Sequence, residues 1–447
     1  AYKLGVICGR EASAVGCNWA FAPVIDIDYN WRNPITNIRT YGSDPERVLR
    51  MGKAYMKGIQ ENGGCVSIKH FPGDGVDERD QHLLTTINSL TVEEWDETYG
   101  KVYKGLIDEG ARTVMVGHIM QPAYSKMLRP DIEDDEIMPA TLAPELLKGL
   151  LREKLGFNGM IVTDATPMAG FTMPMSREKA VPYSIAAGCD MFLFNKSLEE
   201  DFEYMMLGIE KGILTEERID EAVTRILATK ASLGLHKRKQ EGTLIPEKSD
   251  LEILHCEEHI QWAKQCADQS ITLVKDTQEL LPLSLEKHKR VLLFILGDEI
   301  SHFGSSNKYG IFKESLEKEG FQVTVFQTEG LTMRDMEQTV ASFKDNYDVV
   351  LYFANLATHS NQTVVRITWA APMGINVPWF IQDLPTAFIS VANPYHLIDV
   401  PQVRTFINGY TSSEYVIQAI IDKMLGRSEF KGINPIDPFC GQWLAKI

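Results

Sequence analysis

Between residues 1 and 236, short and almost continuously apolar runs alternate with longer stretches whose apolar positions recur every three to four residues. The runs are 21–27 (FAPVIDI), 66–71 (VSIKHF), 113–119 (TVMVGHI), 159–165 (GMIVTDA) and 191–195 (MFLFN). A run apolar on both faces suits a parallel strand covered on both sides. The stretches between them carry helix starts. Asp44 precedes Pro45, an N-cap followed by proline at the first helical position, and predicts a helix over 44–63. Thr91 and Glu94 have the spacing of a capping box, predicting a helix that ends near Gly110. Further helices are predicted over 141–156 and 215–235. Strand–helix alternation of this kind means a parallel sheet, as a barrel or an open doubly wound sheet.

The placement of polar residues favours the barrel. Asp26 and Asp28, Lys69 and His70, His118 and Asp164 all fall at the C-terminal ends of runs. In a (β/α)8 barrel those ends converge on one active site, whereas an open sheet concentrates its chemistry at one crevice. A closed barrel needs eight strands and about 250 residues, and only five runs are present. The expectation is therefore a TIM-type barrel domain over 1–236 whose N-terminal strands are missing, open on the side of 21–27. A charged, turn-rich linker over 237–250 follows. The segment 251–447 repeats the alternation, with strands predicted at 271–275, 291–296, 322–326, 348–354, 387–392 and 404–407 and helices at 250–269 and 412–425, which reads as an α/β sandwich domain.

Composition narrows the partners. Lys and Arg number 45 against 61 Asp and Glu, a net charge of −16, which repels nucleic-acid phosphates and anionic membranes alike. No apolar run approaches the roughly 18 residues needed to span a bilayer. The seven cysteines are scattered, without a CxxC pair, the usage of a reducing compartment such as the cytoplasm.

Three clusters carry candidate chemistry. The densest is 69–82 (KHFPGDGVDERDQH), in which Pro72, Gly73 and Gly75 force a loop after a strand and supply possible hinges. Asp80 and His82 lie on that loop. A carboxylate that accepts the Nδ1–H of an imidazole fixes its tautomer and makes a competent general acid/base; the competing reading is a solvated acidic loop. Asp164 ends an apolar run, where a carboxylate either caps a helix or faces a substrate. His255 and His259 have the spacing of an inverted zincin motif, but lack a third ligand and read better as part of an ordinary helix. Asn355, His359 and Arg366 follow a strand without any phosphate-binding glycine loop.

Residues 69–82, read as KHFPGxGxxxxDxH, resemble the signature of family 3 glycoside hydrolases, and more narrowly their bacterial β-N-acetylglucosaminidase branch. Residues 21–27, 33–48 (NPITNIRTYGSDPERV), 156–164, 271–283 (ITLVKDTQELLPL), Asn393-Pro394-Tyr395 and Gly426-Arg427 are similar to further family segments in the same order. The resemblance implies a barrel followed by an α/β sandwich. It implies Asp164 as nucleophile, His82 paired with Asp80 as acid/base, and Arg39, Lys69 and His70 as residues that hold sugar hydroxyls. Two positions depart from the branch: Asp74 stands where histidine is frequent, and Ala165-Thr166-Pro167 replaces the usual Asp-Leu-Ser. The activity implied is a retaining exo-β-glycosidase that removes terminal β-N-acetylhexosamine from a small carbohydrate, without metal or cofactor. The alternatives are a β-glucosidase, a phosphorylase of the same family, and a non-catalytic sugar-binding protein.

Overall fold

A computed structural model describes residues 1–297, 300–301, 304–305, 307–328, 330, 332–333 and 337–447. The first half carries the strands β1 (Trp19–Ala20), β2 (Cys65–Phe71), β3 (Thr86–Ile87), β4 (Thr113–Val116), β5 (Ile119–Met120), β6 (Met160–Ala165) and β7 (Met191–Leu193), of which β1 and β3 lie outside the predicted runs. Five of them form one parallel sheet in the order β1-β2-β4-β6-β7, while β3 and β5 make a separate parallel pair. Cys65 opposes Trp19 at one end of the ladder and Met191 opposes Val162 at the other. Among the described residues, β1 and β7 are therefore edges.

Where runs and strands disagree, the reason is local. The run 21–27 is not a regular strand. Pro23 has no N–H to give, and the segment is held to β2 by a single bridge from Val24 to Lys69 and by Ile25 N–H to Lys69 O at 2.9 Å. The run 113–119 splits because the His118 N–H leaves the ladder and donates to Gln81 Oε1 at 2.8 Å. Asp44 caps the helix Pro45–Glu61, and the Thr91–Glu94 capping box forms in both directions. The helix it starts is broken by a wide π turn at Asp96–Gly100 before Lys101–Asp108. The helices Pro122–Leu128, Arg177–Ala187 and Leu198–Glu210 lie where the sequence pattern predicts none.

The sheet is covered by a core of Ile25, Ile27, Ile68, Phe71, Val114 and Ile161 packed against Trp95, Tyr99, Tyr103 and Tyr124. Its far edge is pinned by Asp190, which accepts from Ile161 N–H and pairs with Arg152, Arg218 and Arg225. Just beyond β7, Phe194, Leu198 and Phe202 are 60%, 67% and 65% exposed.

The chain divides into two compact units, residues 1–256 with 359–364, and residues 257–358 with 365–447. The second is a six-stranded sheet in the order Gln322–Val325, Arg290–Gly297, Val349–Asn355, Thr386–Ser390, Thr405–Asn408 and Thr272–Asp276, parallel except for the last pair. Apolar clusters cover both its faces, one of them built on stacked Phe294, Tyr352, Phe388 and Phe406. The whole is a barrel-type β/α unit joined to an α/β sandwich. No helix among the described residues is long and apolar enough to cross a membrane.

Candidate active site

The segment beside β2 brings Asp26 to the end of that strand. Asp26 is buried, and its Oδ2 lies 2.7 Å from His70 Nδ1 while its Oδ1 accepts the backbone N–H groups of His70 and Asp74. Burial alone would raise this carboxyl. The charge and hydrogen bond of His70 and the two N–H groups outweigh it and hold Asp26 below the usual carboxylate range. The other imidazole nitrogen, His70 Nε2, faces Asp164 Oδ2 at 3.8 Å.

Asp164 ends β6, with the Ala165 N–H on its Oδ1 at 2.7 Å. Burial opposes its charge, but His70, His118, that N–H and Lys69 together keep the carboxyl below its ordinary value. Lys69 is pushed down by burial, against the pull of Asp164, with Arg39 adding like-charge repulsion. Arg39 anchors one guanidinium nitrogen on Ile35 O at 3.2 Å. His118 is buried between Thr141 Oγ1 at 3.1 Å and Ala165 O at 3.0 Å.

After β2 the chain turns tightly. A Cβ on Gly73 would lie 2.1 Å from the Tyr99 ring, and one on Gly75 would lie 2.0 Å from Ile27 O. Both glycines have positive φ, 123° and 106°, so they serve close approach in a packed turn and not as free hinges. Between them Asp74 is buried, accepting from Asn33 Nδ2 and Gly75 N–H. Burial and the neighbouring Asp26 charge push its carboxyl up to about 8.

Farther along the loop, Asp80 Oδ1 accepts from the His82 backbone N–H at 2.8 Å and lies 2.6 Å from His82 Nδ1. Asp80 Oδ2 accepts the backbone N–H of Asn361 at 2.6 Å. The Asp80 side chain is fully buried and that of His82 is 29% exposed. Burial works against the charge of Asp80, but the His82 bonds and charge and the Asn361 N–H hold the carboxyl low. Gln81, between the pair, points the other way, to the His118 N–H and to Asp74. With Nδ1 engaged, His82 keeps Nε2 for a mobile proton.

Asp164, Lys69 and His70 are thus neighbours, Arg39 acts on Lys69 through its charge, and Asp80 with His82 forms a separate pair tied to the same strand ends through Gln81 and His118. Sequence reasoning named Asp26 and His118 as strand-end residues but assigned them no partner, and it passed over Gln81. No local signal marks Gln81, because residues 81–83 form a turn closed by the Leu83 and Leu84 N–H groups on Asp80 O, and a turn has no side-chain period to read. The His255/His259 pair does not share a helix face: His255 has φ 55° and precedes the helix Glu257–Ser270, and His259 stacks on Trp262. No cluster among the described residues could hold a metal ion. Arg366, noted beside Asn355 and His359, pairs with Asp399.

A carboxylate near the end of β6 thus lies beside a lysine and an imidazole of β2, and the loop after β2 carries an imidazole–carboxylate pair. The Glycosyl hydrolase family 3 N terminal domain matches residues 1–229. The chain belongs to glycosyl hydrolase family 3. It is 51% identical over 444 residues to the "Beta-N-acetylglucosaminidase/beta-glucosidase" of Cellulomonas fimi, covering 99% of this chain and 78% of that protein. Among solved structures it is similar to "Beta-glucoside phosphorylase BglX", with a TM-score of 0.94 and 48% identity over 99% of this chain and 79% of that one. A family 3 β-N-acetylglucosaminidase from Paenibacillus sp. str. FPU-7 shares the fold at a TM-score of 0.78 and 24% identity, over 98% of this chain and 79% of that one.

Proposed function

We propose that the chain is a retaining exo-β-glycosidase for terminal β-linked N-acetylhexosamine. The observation that carries this reading is the pairing of an ionised strand-end carboxylate with a buried carboxylate–imidazole pair on the adjoining loop. Asp164 attacks the anomeric carbon, the His82 Nε2–H protonates the leaving oxygen, and a glycosyl ester forms on Asp164. His82, now neutral, takes a proton from water as it attacks the ester, and free sugar leaves with retained configuration. Lys69, His70 and Arg39 hold sugar hydroxyls, and His70, set by Asp26, faces the nucleophile. The likeness to the Cellulomonas fimi protein supports the acetamido sugar and leaves glucose as a second substrate.

A second reading concerns the acceptor. An imidazole does not repel a phosphate dianion as a carboxylate would, and a similar structure is titled a β-glucoside phosphorylase. In that reading phosphate replaces water in the second step and releases a sugar 1-phosphate. Turnover of aryl β-N-acetylglucosaminide and aryl β-glucoside, each with and without phosphate, separates these outcomes. A 2-fluoro sugar with an activated leaving group should label Asp164, and Asp164→Asn should lower turnover by at least about a thousandfold while leaving the melting curve in place. Label on another carboxylate would remove the nucleophile assignment.

A further inference from the structure

Residues 359–364 interrupt the sequence of the second unit and belong to the first. Within them Asn361 adopts a left-handed conformation, with φ 66°, and turns its backbone N–H onto Asp80 Oδ2 at 2.6 Å. We propose that the 359–364 segment completes the acid/base, with Asn361 a positioning residue whose main-chain N–H fixes the Asp80–His82 pair. This rests on the reading of His82 as acid/base.

Asp80, Gln81 and His82 lie in a loop without regular structure. The bonds from Asp80 Oδ1 reach only His82, two residues away, so they hold the pair together without holding it in place. Each of the three residues also has a bond to a more distant part of the unit. Gln81 is fixed by the His118 N–H, and the His82 carbonyl accepts the Ala169 N–H at 3.1 Å. Asp80 is fixed by Asn361, 281 residues away in sequence. Among the described residues, Asn361 supplies the one hydrogen bond given to Oδ2. The Asp80 side chain is fully buried, and a buried carboxylate oxygen that loses its donor rotates toward another or loses charge. Either response moves the His82 ring, and the aim of Nε2 at the leaving oxygen is what the pair contributes to catalysis.

The N–H belongs to the backbone, so the test removes it by Asn361→Pro, which also forbids the positive φ. Asn361→Gly, which keeps both the N–H and the left-handed backbone, is the conservative variant expected to rescue. Kinetics are measured on the full chain with aryl glycosides of graded leaving-group acidity, alongside His82→Ala and Asp80→Ala. Asn361→Pro should lose roughly tenfold or more in kcat/KM on weakly acidic leaving groups and far less on dinitrophenyl glycosides. In the Asp80→Ala background it should cost nothing further. Uniform loss across leaving groups, or full additivity with Asp80→Ala, overturns the proposal, since either marks a merely structural role. A second readout needs no turnover. In protein labelled with 15N-histidine, the Nδ1–H resonance of His82, identified by its absence in His82→Ala, should shift or broaden in Asn361→Pro and persist in Asn361→Gly. An unchanged resonance in Asn361→Pro also overturns the proposal. If His82→Ala itself shows no dependence on leaving group, the acid/base reading fails, and the resonance alone then decides whether Asn361 positions the pair.

Discussion

Asp74, in the turn after β2, and Asp164, near the end of β6, sit in environments that drive their carboxyls apart: Asp164 faces Lys69 and the imidazoles of His70 and His118, and Asp74 is buried beside the anion of Asp26. The consequence for stability has a definite sign. The folded-state value of Asp74 lies near 8, above the roughly 3.9 of an unfolded chain. The folded protein therefore holds a proton that the unfolded chain releases. That contribution is complete below about pH 4 and is lost as pH rises toward about 8, by up to about 1.4 kcal/mol per pH unit. Asp74→Asn should flatten the decline in urea midpoint between about pH 5 and 8; a wild-type slope that the substitution leaves untouched counts against a neutral Asp74. At the Asp80–His82 pair, His82→Ala should slow alkyl glycosides at least about tenfold more than nitrophenyl glycosides, whose leaving groups need little protonation. Equal losses would make His82 structural. Asp80 and His82 were legible as a candidate pair because a carboxylate and an imidazole stand two residues apart on one loop. Asp26–His70 joins positions 44 apart and Asp80–Asn361 positions 281 apart, and nothing in either local sequence marks the partner.

Among the elements, runs of apolar residues predicted strand positions to within a few residues, because a strand covered on both faces has little freedom in composition. The failures have causes that periodicity cannot carry. Pro23 removes a ladder donor from 21–27, and the helix Arg177–Ala187 carries Pro182 in its interior, a residue that ordinarily argues against a helix. The far side of the sheet depends on charge instead of apolar pattern. Asp190 is 3% exposed and gathers three arginines and one strand N–H, tying β6 to the start of β7 and to the helices Glu145–Lys154 and Glu216–Ser232. Asp190→Ala would leave those guanidinium groups without their shared anion in a mostly buried setting. The expected cost is about 3–5 kcal/mol, measured as a drop in urea midpoint at unchanged m. A loss below about 1 kcal/mol would mean that the arginines are satisfied elsewhere.

At the scale of the whole molecule, the sheet's two outer strands, β1 and β7, each pair on one side only among the described residues. A strand with open N–H and C=O groups is a template for another strand, and Phe194, Leu198 and Phe202 place apolar surface next to one of these edges. Opposing that tendency is a net charge of −16. The balance between the two is colloidal, and salt sets it. At about 0.01 M ionic strength the screening length is roughly 30 Å, so whole chains repel one another before their edges meet; at about 1 M it is roughly 3 Å, and the repulsion vanishes at a distance shorter than the gap between two strands. Light scattering across that range should show the mass-average size growing with salt, opposite to the behaviour of an assembly held by ion pairs. Constant size would mean the edges are shielded by something other than charge. If the size grows in this way, ionic strength is a variable of the chain's own concentration dependence, and a rate measured at one salt belongs to one distribution of particle sizes.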